Sequence, residues 1–219
     1  MASPLFDAIS VQHSRFIGDS VAAAATDGKV WSSAQRSNQI NLAIRRLIDK
    51  HLKRALAADK AGMDASWHYG FLQGYITEEA QSLSASVKAL SSWTGGVAYI
   101  FSVKNGSTFV KPISQERKTF SDVELNDYLK TSSTNQFWLL EAGDIHVLGC
   151  GATDSVTLRY LKQHTDLSAG GATDILIPNQ YNDEILQTSE LMYLKEKADQ
   201  MSLARAQVLE QTIEAGLNV

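Results

Sequence analysis

From Asn179 to Ala215 the chain contains neither proline nor glycine, and the span is filled with helix formers such as Glu184, Leu186, Glu190, Leu191, Lys195, Leu203, Ala204, Ala206 and Glu210. That stretch predicts a long C-terminal helix. A single helix there would measure about 55 Å at roughly 1.5 Å per residue, far longer than is usual in globular proteins. A break near Asp199–Ser202 is therefore expected. Directly upstream the pattern is β. Strands enclosed by helices at both chain ends predict an α+β fold, in which a helical bundle formed by both chain ends carries an inserted antiparallel β module. The expected division is residues 1–86 as the N-terminal part of the bundle, 87–162 as the β-rich insert, and 163–219 as the C-terminal part of the bundle and its tail.

Helix signals in the first block are local. Ser3, Pro4 and Asp7 read as an N-cap, a first-turn proline and a first-turn acid, and Leu5, Ile9, Phe16 and Val21 recur at helical spacing before Asp27 and Gly28. A second helix begins after Ser32 or Ser33. Its apolar stripe is Ile40, Ile44, Leu47, Ile48, His51 and Leu52, and Asp49 and Lys53 stand four residues apart for an ion pair. Between Asp59 and Leu83 the aromatic residues Trp67, Tyr69, Phe71 and Tyr75, with Ile76, fit a strand and a crowded helix equally well. From Gly95 onward the period is two. Val97, Tyr99, Phe101 and Val103 alternate with Ala98, Ile100 and Ser102, and Asn105 and Gly106 supply the positive-φ positions of a tight hairpin to Thr108–Ile113, with Pro112 at an edge. Ser121 and Glu124 form a capping box for a short helix. Phe137–Leu140 and Ile145–Leu148 form a second hairpin turning at Gly143 and Asp144, and Val156, Leu158 and Tyr160 share one face of a last strand.

Little in the sequence points to catalysis. Gly149, Cys150 and Gly151 follow a strand, but Asp154 stands where a dinucleotide loop needs glycine and a strand follows, so a hairpin turn is expected. His146 and Cys150 lack a third group to orient them. The five histidines, at 13, 51, 68, 146 and 164, are isolated in the sequence, and no metal-binding or phosphate-binding motif occurs. Asp183 and Glu184, about 100° apart on a helix, suit its N-terminal dipole better than an acid–base pair. The expectation is a protein that is not an enzyme, with no cofactor and no bound metal. The lone Cys150 excludes an internal disulfide, the start has no secretory pattern, and no run of eighteen apolar residues is present, so a soluble chain without a membrane partner is expected.

Charge is distributed unevenly. Ser33–Lys60 holds seven Lys or Arg against two acids, whereas Pro178–Val219 holds three against seven, within a formal net charge of -4. One reading is two solvated helix faces packed within one bundle. Another places Arg45, Arg46, Lys50 and Arg54 of one copy opposite Glu190, Glu196 and Glu210 of the next, as a head-to-tail ring interface requires. A third directs the basic helix at nucleic-acid phosphates.

The segment Trp31, Ser32, Ser33 followed by Asn41–Arg46, the strand Val156–Lys162, the helix approach Ile175–Pro178 with Tyr181–Ile185, and Ala204–Ala206 together resemble the head-tail connector adaptor proteins of tailed bacteriophages. The resemblance covers about half the chain. It implies a structural virion protein of the neck, made in the bacterial host cytoplasm. It further implies a homo-oligomeric ring of about twelve copies beneath the portal, extending the DNA channel and offering a platform to the next neck or tail protein. DNA would pass through the ring without sequence-specific binding. In this family the C-terminal segment docks on the portal, which implies Leu209, Ile213, Leu217 and Val219 as docking residues. Rival expectations are another neck or tail-completion protein (a stopper or terminator), a nucleic-acid-binding module using the basic helix, and a small cytoplasmic enzyme with its site around Trp67, His68, Tyr69 and Cys150.

Overall fold

The computed structural model describes residues 9, 33–113, 131–167, 175–197 and 200–216. Within them the chain is α+β and falls into two compact units, one made of Met1–Gly74 with His164–Val219, the other of Tyr75–Gln163. The sheet unit thus begins at Tyr75, upstream of the Val87 boundary expected from the sequence. The expected N-terminal helix and the Ser121 capping-box helix lie outside the described residues, save Ile9, which is helical and fully buried.

The helical unit contains α1 (Ser33–Ala61), α2 (Ser66–Leu72), α3 (Asn182–Lys197) and α4 (Gln200–Gly216). On α1 the stripe Ile40, Ala43, Ile44, Leu47, Ile48, His51 and Ala55 is buried, as its 3.6-residue period requires. Gln39 Nε2 donates to Glu196 near the end of α3 (2.7 Å), and His51 meets Glu184 near its start (2.9 Å), so α1 and α3 run antiparallel. On α4, Glu214 binds Lys50 and Arg54 of α1, which brings the C-terminal helix back along the same partner. The start of the expected break, at Asp199, lies outside the described residues, while Gln200–Ser202 are helical; Tyr193 and Leu194 of α3 cluster with Ala206 of α4. Gly74 is required sterically: a Cβ there would lie 1.9 Å from the carbonyl oxygen of Leu176.

The sheet unit contains β1 (Ile76–Ser82), β2 (Val87–Ala89), β3 (Val97–Asn105), β4 (Thr108–Pro112), β5 (Phe137–Glu141), β6 (Asp144–Leu148) and β7 (Ser155–Lys162). They form one curled mixed sheet in the order β1-β7-β3-β4-β5-β6-β2, antiparallel except where β4 and β5 run parallel. The expected all-antiparallel module therefore contains one parallel pair. Its core is the inward face: Trp93, Ile100, Val103, Val110, Ile145, Val147, Val156, Leu158 and Tyr160. Two irregularities in β3, at Ala98 and Phe101, shift its register against β7 and add local bend. The backbone N–H of Lys162 donates to the carbonyl of Tyr75 at 2.8 Å, so the unit's first and last residues are neighbours.

Three turns differ from expectation. Asn105 pairs with Thr108, so Gly106 (φ +58) and Ser107 are the central residues of the first hairpin, and the Asn105 amide instead donates to Asp154 at 2.8 Å. Glu141 pairs with Asp144, which moves the second turn to Ala142 and Gly143, both at positive φ. The 149–154 segment is not a hairpin: β6 pairs with β5 and β2, β7 with β1 and β3. The carboxylate of Asp154 closes that segment by accepting from the Gly151 N–H, while its main chain accepts from Leu83. Pro112 lies on an interior strand rather than an edge. Pairing of β3 with β4 stops at Val103 and Val110, and the main-chain donors that reach β5 come from Lys111 and Ile113, so no ladder bond is asked of the proline.

Candidate functional site

The basic face of α1 follows directly from its period: buried positions alternate with Arg45, Arg46, Lys50, Lys53 and Arg54. Arg45 meets Asp166 at 2.8 Å, Lys53 meets Asp49 at 2.7 Å, and Lys50 and Arg54 converge on Glu214, the Arg54 contact being 2.7 Å. Hydrogen bonding from Lys50 leads the effects that hold the Glu214 carboxyl below the usual range. Glu190 is buried and binds Arg205, Glu210 binds Lys195 at 2.7 Å, and Glu196 accepts from Gln39. Among these pairs Glu214 joins the basic face of α1 to α4, while Glu190 and Glu210 pair with cations of α3 and α4 themselves. Arg46 is exposed. Of the C-terminal residues singled out from the sequence, Ile213 is buried and Leu209 packs against the Tyr193–Leu194–Ala206 cluster, while Leu217 and Val219 lie outside the described residues. The exposed apolar side chains of α4 are Leu203 and Val208, the latter 66% exposed.

A second constellation joins residues that the sequence separates. His51 of α1 is fully buried, stacked on Phe71 at 3.9 Å and nearly parallel to it, with Tyr181 against its edge. Its Nε2 lies 2.9 Å from a Glu184 oxygen, and its Nδ1 lies 3.2 Å from Nδ1 of His68. With both rings neutral, one proton arrangement satisfies the whole chain: His51 donates from Nε2 to the carboxylate and accepts at Nδ1 from His68. Burial is the main influence lowering the His68 pKa, reinforced by His51 and Arg54 and opposed by Glu184. The Tyr181 hydroxyl donates to the Trp67 carbonyl at 2.7 Å, fixing the short α2 against the 3-10 turn Asn179–Tyr181 that leads into α3.

This arrangement corrects two readings. His51 and His68 are partners in space although isolated in sequence, and Glu184 serves His51 as well as the start of its helix. The linear signal was faint. His51 sits on the apolar stripe of α1, where an imidazole needs a polar partner, but only the fold shows that Glu184 supplies it. A third buried polar group works similarly: Asn41 donates to the Leu167 carbonyl (2.8 Å), while its oxygen receives the Leu167 N–H (3.1 Å) and lies 3.0 Å from Nε2 of His164.

The remaining candidates do not converge with these groups. Cys150, in the sheet unit, hydrogen-bonds the Val147 carbonyl at 3.1 Å, and burial pushes its thiol pKa up, which makes it a poor nucleophile. Among the described residues no group of three or more His, Cys, Asp or Glu side chains could hold a metal ion, and no helix is long and apolar enough to cross a membrane. Comparison with models of known protein families and with curated protein sequences finds no match to this chain.

Proposed function

We propose that the chain is a structural virion protein, a head-tail connector adaptor that forms a ring of about twelve copies beneath the portal of a tailed bacteriophage. The observation that carries this reading is the discontinuous helical unit: segments from before and after the sheet unit pair through Gln39–Glu196 and His51–Glu184. This discontinuous unit supports the organisation implied by the resemblance of Asn41–Arg46, Val156–Lys162 and Tyr181–Ile185, in which both chain ends build a helical bundle. Its action is binding rather than catalysis. The ring extends the DNA channel and presents a platform to the next neck or tail protein.

The internal ion pairs refine how copies and partners meet. Lys50, Arg54, Glu190 and Glu210 pair within the subunit, and Arg46, exposed midway along α1, is the group we assign to a neighbouring copy. On the C-terminal helix the portal contact falls to Leu203 and Val208, since Ile213 is turned inward. Co-expression with the portal protein of the same phage, followed by native mass spectrometry, tests the reading. A ring bound to portal and weakened by Val208→Glu is expected; failure to associate with portal in any assembly state would sink it.

A further inference from the structure

The strand register places a set of rings and cations on the face of the sheet opposite its Trp93 core, where Phe109 is exposed and Phe137 is half-buried against Leu139 and Leu148. Arg159 stands opposite Ser102, Lys104 opposite Phe109, and Lys111 opposite Phe137, whereas their neighbours Leu158, Val103 and Val110 point into the core. Alternation along each strand puts Phe109 and Lys111 on the same side. The result is an interleaved band across four adjacent strands. Arg159 lies 6.0 Å from the Phe101 ring, Lys104 lies 5.1 Å from that of Phe109, and Lys111 lies 5.9 Å from that of Phe137. Tyr99 meets Phe101 edge-on at 5.2 Å. Phe109 is 63% exposed, an unusual position for so large an apolar ring.

We propose that this face binds single-stranded nucleic acid without sequence preference. Three cations stand beside aromatic rings; Glu78, the cross-strand partner of Arg159, also sits 3.7 Å from Lys104, which leaves Lys111 as the cation of the band farthest from it in the strand order. Lys111 also reaches the Asn135 side-chain oxygen at 3.4 Å, a long contact that a phosphate can replace. An unpaired base stacks on an exposed ring, and the phosphate beside it meets the neighbouring ammonium or guanidinium; this pairing of ring and cation is what a sequence-tolerant single-strand site needs. A duplex hides its base faces and gains only the charge. The band lies on the face of the sheet, so side chains supply the recognition.

Fluorescence anisotropy of the full chain with a labelled oligothymidylate of about 16 nucleotides tests this. Binding tighter than about 100 μM at low salt is expected, with the corresponding duplex bound more weakly. Engagement of three phosphates gives a salt slope near -2, so raising salt from about 50 to about 200 mM weakens binding roughly fifteenfold. Phe109→Ala is expected to weaken it about fivefold or more through lost stacking, and Lys111→Glu to weaken it further and flatten the salt slope. Both residues are exposed, and circular dichroism verifies that each variant folds. No binding at low salt overturns the proposal. So does equal or tighter binding of duplex, or binding that survives both sheet variants and is lost on Arg46→Glu, which would assign it to the helical unit.

Discussion

Both units bury apolar side chains, but the helical unit also buries polar groups that join segments far apart in sequence, whereas the sheet core is built from side chains alternating along neighbouring strands. His51, Asn41 and Glu190 are buried in the first, each with a partner from elsewhere in the chain or the next helix. The core of the second consists of aliphatic side chains with Trp93 and Tyr160. There the one ring hydroxyl reaches outward, within 2.9 Å of both Glu79 and the Thr94 carbonyl. Apolar burial is non-directional and supplies most of the stabilisation. Buried hydrogen bonds add modest net stability but are expensive to leave unmade. The contrast teaches that buried side-chain hydrogen bonds are concentrated where helices from distant segments must meet in the right register, whereas sheet neighbours, including the sequence-distant pairs β1–β7 and β2–β6, are matched by the main-chain ladder and by alternation.

Truncation of the sheet core gives the strongest test. Trp93→Ala removes a side chain that is 2% exposed and is expected to lower stability by about 4 kcal/mol, read from urea unfolding. A loss below about 1 kcal/mol would break the apolar account of this unit. His51→Ala in the helical unit is expected to cost about 3 kcal/mol, combining a lost ring with a carboxylate deprived of its donor. Glu184→Gln restores an acceptor of similar shape and is expected to cost less. Glu184→Gln leaves the ring in place, so equal losses for the two variants would show that the charged carboxylate, not ring packing, does the holding.

Acid separates the units next. His164 has its pKa lowered from 6.5 to about 4, chiefly by burial, opposed by Asp166 and reinforced by Arg45. A histidine depressed in the folded state contributes stability that is complete above about pH 6.5 and is lost as the pH falls toward about 4. Glu79, half-buried in the sheet unit, is lowered from 4.5 to about 2, first by the Gln81 amide and then by the Thr94 N–H. Its contribution is present above pH 4.5 and lost only toward about 2. Hydrogen exchange across an acid titration is therefore expected to show loosening around Asn41 and Leu167 before β1 and β7; the reverse order contradicts the assignment. The smallest effect is expected for Lys53→Ala. Its pair with Asp49 is exposed on both sides, and removal should change thermal stability by about 0.3 kcal/mol.

Legibility in the sequence followed the same divide. Period-two alternation announced β3 to β7, and the face shared by Val156, Leu158 and Tyr160 is buried. Turn positions slipped by one residue because Ala142 occupies a positive-φ position that composition alone assigns to glycine, and because Asn105 serves as a strand end. β1 was unreadable: Thr77, Glu78, Glu79 and Gln81 give an edge strand no apolar alternation to display. α2 was obscured by aromatic crowding, since Trp67, Tyr69 and Phe71 are spaced like a strand yet lie on a helix of seven residues. The ion pairs of α3 and α4 with α1 were foreshadowed by the opposite charge of the two blocks, but whether such charges meet within one copy or between copies is decided by three-dimensional packing. The His51–His68–Glu184 chain left only one linear trace, an imidazole on the apolar stripe of α1, and its partners lie too far along the sequence to be read from it.

The hydrogen bond between Lys162 and Tyr75 has a genetic implication. Because the sheet unit departs from the chain and rejoins it at one place, it has the form of a cassette. Two junctions, at Gly74–Tyr75 and Gln163–His164, suffice to lift it out or exchange it, and a short linker would then rejoin the helical segments. Relatives of this chain that keep the helical ends but differ wholly in the middle are the expected trace of such exchange.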